Sequence, residues 1–421
     1  METFYIKGGS LLDGSVNVSS AKNALLPILA GVVVSSGEVL IKNCTRFTDV
    51  KYMCKILEEL GANNYFIGND LYINSKNADK FCVKEEYTKK VRSSIFMLGP
   101  LLSRFRYAKV AYPGGCNIGN RPIDLHLKGL KNLNVKIFER HGYIYCDGKN
   151  MKSGEVHLDF PSVGATENIM MASVLLKGTT TIYNSAKEPE IEDLQSFLNS
   201  MGAKVSGAGT STIVIEGVEK LGSTEFTPIT DRIIAGTYMI ACASAGGKVM
   251  LNKAVKEHNM ALISKLKGSG CRIKCTKEGI SVASTGKPRS LPSIETLPFP
   301  GFPTDLQNQI LTMQTISRGT SVITENLFET RFKIATELNR MGADITIKDR
   351  MAIVKGVNKL YGATVTACDL RGGAGLVIAG LCAEGYTTIE DIYHIERGYA
   401  DIVSDLKALN AEIQRKDKTL Y

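Results

Sequence analysis

A short pattern recurs six times along the 421 residues: the end of an amphipathic helix, then Gly or Asn, then the start of a strand. The copies are Leu60-Gly61-Ala62, Leu133-Asn134-Val135, Met201-Gly202-Ala203, Ser269-Gly270-Cys271, Met341-Gly342-Ala343 and Leu409-Asn410-Ala411, spaced 68–73 residues apart. Six units of about 70 residues therefore account for nearly the whole chain. Solenoid repeats are mostly shorter, roughly 20–50 residues, so each unit is read as a compact module containing a βαβ element.

The interior order of the units is constant. An apolar stretch opens each one, at 24–34, 94–102, 166–176, 233–245, 306–316 and 374–382. A Gly turn and a β-branched strand follow, as at 37–41, 178–182, 247–251, 319–323 and 385–389. Next comes an amphipathic helix such as 192–201, in which Leu194, Leu198 and Met201 recur at helical spacing. The Gly or Asn after it is expected to be the C′ cap, and a β pair closes the unit. The opening helices are apolar on nearly every face, which predicts burial on all sides. The predicted fold is α/β, with helices inside, sheets outside and βαβαββ-like modules. Six modules around one core would exceed the size at which single cores stop growing, so three are expected around each of two cores. The division is placed near Thr227-Pro228-Ile229-Thr230, giving one domain of residues 22–229 and a second of 1–21 plus 230–421. The N-terminal strand around Phe4-Tyr5-Ile6 then returns to the second domain and makes it discontinuous.

Composition narrows the function. With 44% hydrophobic and 22% charged residues, the chain reads as a soluble globular protein. Its net charge of +9 is dispersed, without a helix-turn-helix, zinc-finger or RNP pattern, so nucleic acid is not the expected partner. A diffuse positive potential suits small phosphorylated substrates. The ten cysteines contain no Cys-x-x-Cys, and Cys242 and Cys382 sit among apolar residues, where they read as small buried hydrophobes. Without a signal sequence, a disulfide framework is not expected in a chain this long. The longest apolar run, 24–34, is broken by Pro27 and falls short of the roughly 18 residues a membrane span needs. The expected compartment is the cytoplasm. The histidines, at 126, 141, 157, 258 and 394, are scattered, and no Walker loop or dinucleotide fingerprint follows a strand. Neither a metal nor a cofactor is expected.

One segment departs from the repeat. The second unit carries Tyr112-Pro113-Gly114-Gly115-Cys116-Asn117-Ile118-Gly119-Asn120-Arg121-Pro122-Ile123-Asp124-Leu125-His126. Its glycines permit close approach of backbone N–H groups to a ligand. Cys116 is either an incidental surface thiol or a thiol made reactive by the Arg121 charge. Lys22 and Asn23 precede the first buried helix, whose first turn is either an anion site or an ordinary capped N-terminus. Arg92, Arg121, Arg331, Arg371 and Arg397 all fall at unit junctions, where guanidinium forks suit carboxylate and phosphate. Singly, each also reads as a surface or capping arginine. Asp305 reads as an N-cap or as a carboxylate aimed at a ligand. Asp369 opens the sixth unit with Arg371. Glu188, Glu190, Asp231 and Arg232 are read as structural or hinge residues.

Together these residues resemble the UDP-N-acetylglucosamine 1-carboxyvinyltransferase family of enolpyruvyl transferases. The resemblance runs from Gly8 to about Ile413 and rests on Ala21-Lys22-Asn23-Ala24, the Pro113–His126 segment, Glu188-Pro-Glu-Ile191, Phe302-Pro-Thr-Asp305-x-Gln307, Phe328-Glu-x-Arg331-Phe, Asp369-Leu-Arg371 and Ile395-x-Arg397-Gly-Tyr399. It implies two inside-out α/β domains with the active site in the cleft between them. It also implies transfer of the enolpyruvyl group of phosphoenolpyruvate to the 3-hydroxyl of UDP-N-acetylglucosamine, the first committed step of peptidoglycan synthesis. Lys22, Arg121 and Arg397 would hold phosphoenolpyruvate, Cys116 would protonate its methylene carbon, and Asp305 would take the hydroxyl proton. Asn23, Arg92, Arg121, Pro122, Ile123, Asp124, Leu125, Ser162, Val163, Gly164 and the backbone near Leu327 would grip the UDP-sugar. Asp369, Arg371 and the Arg331 motif would complete the site. An epoxide of the fosfomycin type is expected to label Cys116. The chain departs from the commoner pattern at Ser20, where Gly is frequent, and at Gly372-Gly373 after Arg371. Two rivals remain: a 5-enolpyruvylshikimate-3-phosphate synthase, which would carry Lys-Ser in place of Lys22-Asn23 and lack the Cys loop, and a non-catalytic repeat protein that binds anions.

Overall fold

The computed structural model describes residues 2–114 and 123–417. They form six four-stranded sheets on one plan. In the third module the edge strand Glu155–His157 runs parallel to the central strand Thr179–Tyr183. The central strand pairs antiparallel with Thr212–Glu216, which pairs in turn with Lys204–Ser206. A parallel pair needs a crossover, and the buried helix Val163–Ser173 supplies it. The sixth module has no hairpin of its own. Its central strand Tyr386–Glu390 pairs with the N-terminal strand Glu2–Lys7, which lies between it and Glu412–Asp417. The next strand, Leu12–Asn17, is the parallel edge of the fourth module against Gly247–Asn252. Likewise, Thr224–Phe226 returns to run parallel to Glu38–Ile41 in the first.

The described chain divides into two compact units, residues 20–114 with 123–229, and 2–19 with 230–417. In the second, helices Arg232–Ala245, Gln307–Thr315 and Leu370–Cys382 pack on one another, and nearly all their residues are buried. In the first, Leu98–Phe105 packs on Val163–Ser173, and Lys22–Gly31 lies against the turn Arg92–Met97. The strands around them alternate, as in Met351–Lys355, where Ala352 and Val354 face inward. An all-round apolar helix satisfies its own backbone and can be enclosed, whereas a one-faced strand must keep its polar face in water. This is why the helices are inside.

Three local details follow from side-chain chemistry. First, Gly61, Asn134, Gly202, Gly270, Gly342 and Asn410 all have left-handed φ, between 63° and 105°. Each N–H there reaches back three residues and the next reaches back five, as Gly61 to Glu58 and Ala62 to Leu57 do, which is the Schellman cap. Asn substitutes for Gly twice because its short amide tolerates this region. Second, the first helix, Lys22–Gly31, runs through Pro27 and continues as the 3-10 turn Val32–Val34. Pro27 removes the donor for the Asn23 carbonyl, but Leu25, Ile28 and Leu29 are fully buried around it and hold the helix. Third, the sixth opening helix begins at Leu370, a turn before the apolar stretch, because Asp369 Oδ1 caps it by accepting from Arg371 N and Gly372 N, each at 2.9 Å.

The first unit also buries five acids, Asp49, Glu167, Glu188, Glu190 and Asp193. Burial, then the Glu190 and Glu188 charges, push Glu167 well above the usual carboxylate range, and neither of its oxygens has a hydrogen-bond partner. Burial therefore favours the protonated form of this acid. Asp193 Oδ2 accepts from Ile229 N at 3.2 Å, and the Ile229 carbonyl accepts from Ala21 N at 2.8 Å. Burial pushes Asp193 up to about 7, with Glu190 adding to the rise and the Ile229 bond opposing it. The native state thus holds this proton more tightly than the unfolded chain, whose Asp titrates near 3.9. That stability is complete below the unfolded value and is lost as pH rises through about 7. Asp193→Asn keeps an acceptor for Ile229 and should flatten the fall in Tm between about pH 4 and 7. Calorimetry showing the same slope in both proteins would remove Asp193 as the cause.

Candidate active site

The unit of residues 2–19 and 230–417 gathers charge at Asp305. The carboxylate sits in the turn Thr304–Leu306, just before helix Gln307–Thr315, whose N-cap is Leu306, so Asp305 is not a cap. Its Oδ1 accepts from Arg331 Nη2 at 2.7 Å, and its Oδ2 accepts from Arg371 Nη2 at 2.9 Å and Nε at 3.2 Å. The two arginine side chains are 1% and 3% exposed, the carboxylate 26%. Burial alone would raise the Asp305 pKa, but the Arg371 and Arg331 charges, with their hydrogen bonds, outweigh it and hold the carboxyl well below its ordinary range. Burial likewise acts to lower Arg371, and Asp305 more than reverses that. Arg371 is further steadied by Tyr399, whose hydroxyl lies 3.5 Å from Nη1 and 2.7 Å from Thr237 Oγ1. Arg331 Nη1 donates to Thr304 Oγ1 at 3.2 Å. A hollow lined by Arg232, His258, Phe299, Pro303 and Leu306 borders the Asp305 turn.

The same unit holds Asp369, committed to its cap, and Leu327, whose N–H donates to Glu325 Oε1 at 2.8 Å. Arg397 directly follows the short helix Tyr393–Glu396 as its C-cap residue. Burial and then the Arg397 charge push His394 below its ordinary value, so this imidazole is neutral at pH 7.

In the other unit, Lys22 and Asn23 are the first residues of helix Lys22–Gly31. Ala21, and not a serine, is the N-cap, and no side chain caps it. Ser20 bonds instead to Thr45, Oγ to Oγ1 at 2.7 Å. Lys22 Nζ pairs with Asp49 Oδ2 at 3.5 Å, both nearly buried. Arg92 opens the turn Arg92–Met97. Ile123 is the N-cap residue of helix Asp124–Asn132, with Asp124 and Leu125 in its first turn. Ser162 caps Val163–Ser173, its Oγ accepting from Ala165 N at 3.3 Å. These last two segments meet through His126. Asn168 Oδ1 accepts from Gly99 N at 2.8 Å, so its amide nitrogen is the donor to Ile95 O and to His126 Nδ1, at 2.9 and 2.8 Å. That assigns the imidazole proton to Nε2. A Cβ on Gly164 would come within 2.9 Å of His126 Cε1, so this contact requires glycine. The buried His126 thereby sets Ile123–Leu125 against Ser162–Gly164.

Cys116, Arg121 and Pro122 lie outside the described residues. Sequence reasoning did not single out Thr304, Tyr399 or Glu325 as supports. An acid directly after a central strand was the available signal for Glu325.

The family model described as EPSP synthase (3-phosphoshikimate 1-carboxyvinyltransferase) matches residues 6–406. A UDP-N-acetylglucosamine 1-carboxyvinyltransferase 2 of Caldanaerobacter subterraneus subsp. tengcongensis is 52% identical over 99% of this chain and 100% of its own length. A UDP-N-acetylglucosamine 1-carboxyvinyltransferase 1 of Symbiobacterium thermophilum is 49% identical, covering 98% of this chain and 95% of its own. Among solved structures, the enolpyruvyl transferase NikO from Streptomyces tendae superposes with a TM-score of 0.86 at 22% identity, over 99% of both chains. At that identity the superposition speaks for the fold alone.

Proposed function

We propose that this chain, which belongs to the enolpyruvyl transferase family and within it to the UDP-N-acetylglucosamine 1-carboxyvinyltransferases, transfers the enolpyruvyl group of phosphoenolpyruvate to the 3-hydroxyl of UDP-N-acetylglucosamine and releases phosphate. The observation that carries the chemistry is the ionised Asp305 held between Arg331 and Arg371. The 52% and 49% identities to relatives named for this acceptor favour it over shikimate 3-phosphate.

In this reading Lys22, Arg121 and Arg397 neutralise the phosphate and carboxylate of phosphoenolpyruvate. Cys116 gives its thiol proton to the methylene carbon, and the adjacent carbon becomes an oxocarbenium-like electrophile. The sugar 3-oxygen bonds to that carbon while its proton passes to Asp305. The adduct then returns a methyl proton to the Cys116 thiolate as its carbon–oxygen bond to phosphate breaks, and the departing phosphate takes the proton held by Asp305. A carboxylate with a depressed pKa is a weak base. It accepts the hydroxyl proton only as the oxygen attacks a cation already formed, so protonation by Cys116 comes first. Asn23, Arg92, Ile123–Leu125 with Pro122, Ser162–Gly164 and the Leu327 backbone bind the UDP-sugar, and Asp369 holds Arg371 in place through its helix cap.

Phosphate release in the presence of phosphoenolpyruvate is the test, run with UDP-N-acetylglucosamine and, separately, with shikimate 3-phosphate. Release is expected with the first acceptor. Release with only the second would move the chain to the shikimate branch, and release with neither from folded protein would end the enzymatic reading. Among the described residues, no helix is long and apolar enough to cross a membrane.

A further inference from the structure

The fifth module breaks the repeat at a second place. Counting six residues from the turn that precedes each central strand gives Asn43, Asn184, Lys253, Glu325 and Asp391 in modules one, three, four, five and six. Four of these are left-handed, with φ between 50° and 64°; Glu325 is not. Its side chain turns inward and the residue is 0% exposed. Oε1 accepts three bonds, from Leu327 N at 2.8 Å, Phe328 N at 3.1 Å and Thr296 Oγ1 at 2.9 Å. Oε2 accepts from Thr304 Oγ1 at 2.8 Å.

These bonds fix the polarity of both threonines. A hydroxyl has one proton to give, and each threonine gives it to Glu325. Thr296 Oγ1 is left to accept from Asn326 N at 2.9 Å, and Thr304 Oγ1 to accept from Arg331 Nη1 at 3.2 Å. A single buried carboxylate thus ties the backbone of residues 326–328 to the guanidinium that holds Asp305 Oδ1. Burying a charge is costly unless it is fully hydrogen-bonded, and an amide or an apolar residue would fill the space without that cost. The four charge-assisted bonds point to a geometric role.

We propose that Glu325 is a positioning residue for the acceptor, a nucleoside-diphosphate sugar: it presents the Leu327–Phe328 backbone to the sugar nucleotide and, through Thr304, sets Arg331 on Asp305. This rests on the function proposed above. Glu325→Gln places an amide N–H against Thr304, so that the Thr304 proton loses its acceptor while the backbone bonds to the remaining oxygen persist. Thr304→Val cuts the relay alone, and Thr304→Ser keeps it.

The test is steady-state phosphate release with each substrate varied in turn. Glu325→Gln and Thr304→Val are expected to raise KM for UDP-N-acetylglucosamine or lower kcat by about 10-fold or more, with KM for phosphoenolpyruvate changed less than about twofold and Thr304→Ser near wild type. A fall in Tm with both KM values and kcat unchanged would show a support for the fold only and overturn the proposal. So would equal changes in both KM values, or Thr304→Ser behaving as Thr304→Val. If Glu325→Gln does not fold, the threonine pair decides alone. Wild-type protein that releases no phosphate refutes the proposed function itself, whereas active wild type with indifferent variants refutes only the positioning role.

Discussion

Asp305→Asn is expected to lower kcat by about 10²- to 10⁴-fold, the span typical of removing a general base. The amide has nearly the shape of the carboxylate but cannot take the hydroxyl proton. It also fails electrostatically. One side of Asn presents N–H groups to a guanidinium, and Arg331 and Arg371, 1% and 3% exposed, lose their counter-charge. Removing one partner of a buried pair costs about 3–5 kcal/mol. The lower end is expected here, because the carboxylate is 26% exposed. Denaturant unfolding reads this loss, and turnover of the folded fraction reads the catalytic one. Because the native Asp305 pKa is depressed, its contribution to stability is present above the unfolded value of about 3.9 and disappears as pH falls through the native value. The variant should therefore show a shallower loss of stability in acid. A folded variant with kcat within about threefold of wild type would leave Asp305 with a structural role and reopen the identity of the base.

Cys116→Ser is expected to abolish measurable turnover, a loss of at least about 10²–10⁴-fold, while UDP-sugar binding survives. An alcohol holds its proton too tightly to deliver it to carbon at neutral pH, whereas a thiol near pKa 8.5 does not. Nearby arginines would lower that pKa and favour the thiolate, and anionic substrates entering the site would push it back up. Cys116→Asp should retain part of the rate, since a carboxylic acid also donates. Calorimetric titration with the UDP-sugar separates lost chemistry from lost binding. Near-normal turnover in the serine variant, or epoxide labelling at a different cysteine, would assign the proton donation elsewhere.

The legible parts of this protein are the local ones. Gly61, Asn134 and their four counterparts could be recognised because a Schellman cap is decided within six residues of chain. The opening helices could be recognised because an all-round apolar pattern leaves burial as the sole outcome. What the sequence leaves open is decided by neighbours from elsewhere in the fold. Pro27 does not break its helix because packing outweighs one missing hydrogen bond. Ser20 is not the cap because Thr45 claims its hydroxyl. Asp305 has the look of an N-cap in sequence, yet its oxygens face guanidinium groups 26 and 66 residues away. His126 carries no sign in sequence that Asn168 sets its tautomer.

The linear sequence by itself determined the number of modules, their turns, the burial of their opening helices and the junctions at which arginines and acids would accumulate. Each of these follows from spacing and from the conformational limits of single residues. Tertiary structure decided which junctions meet and, with that, the charge state of the acids. Asp305 is held ionised because the fifth and sixth modules bring Arg331 and Arg371 to it, while Glu167 is pushed towards its protonated form because it is buried beside other acids and has no hydrogen-bond donor. The physical reason is the dielectric environment. In water these carboxylates would titrate alike, and burial separates them according to the charges that the fold packs beside each one.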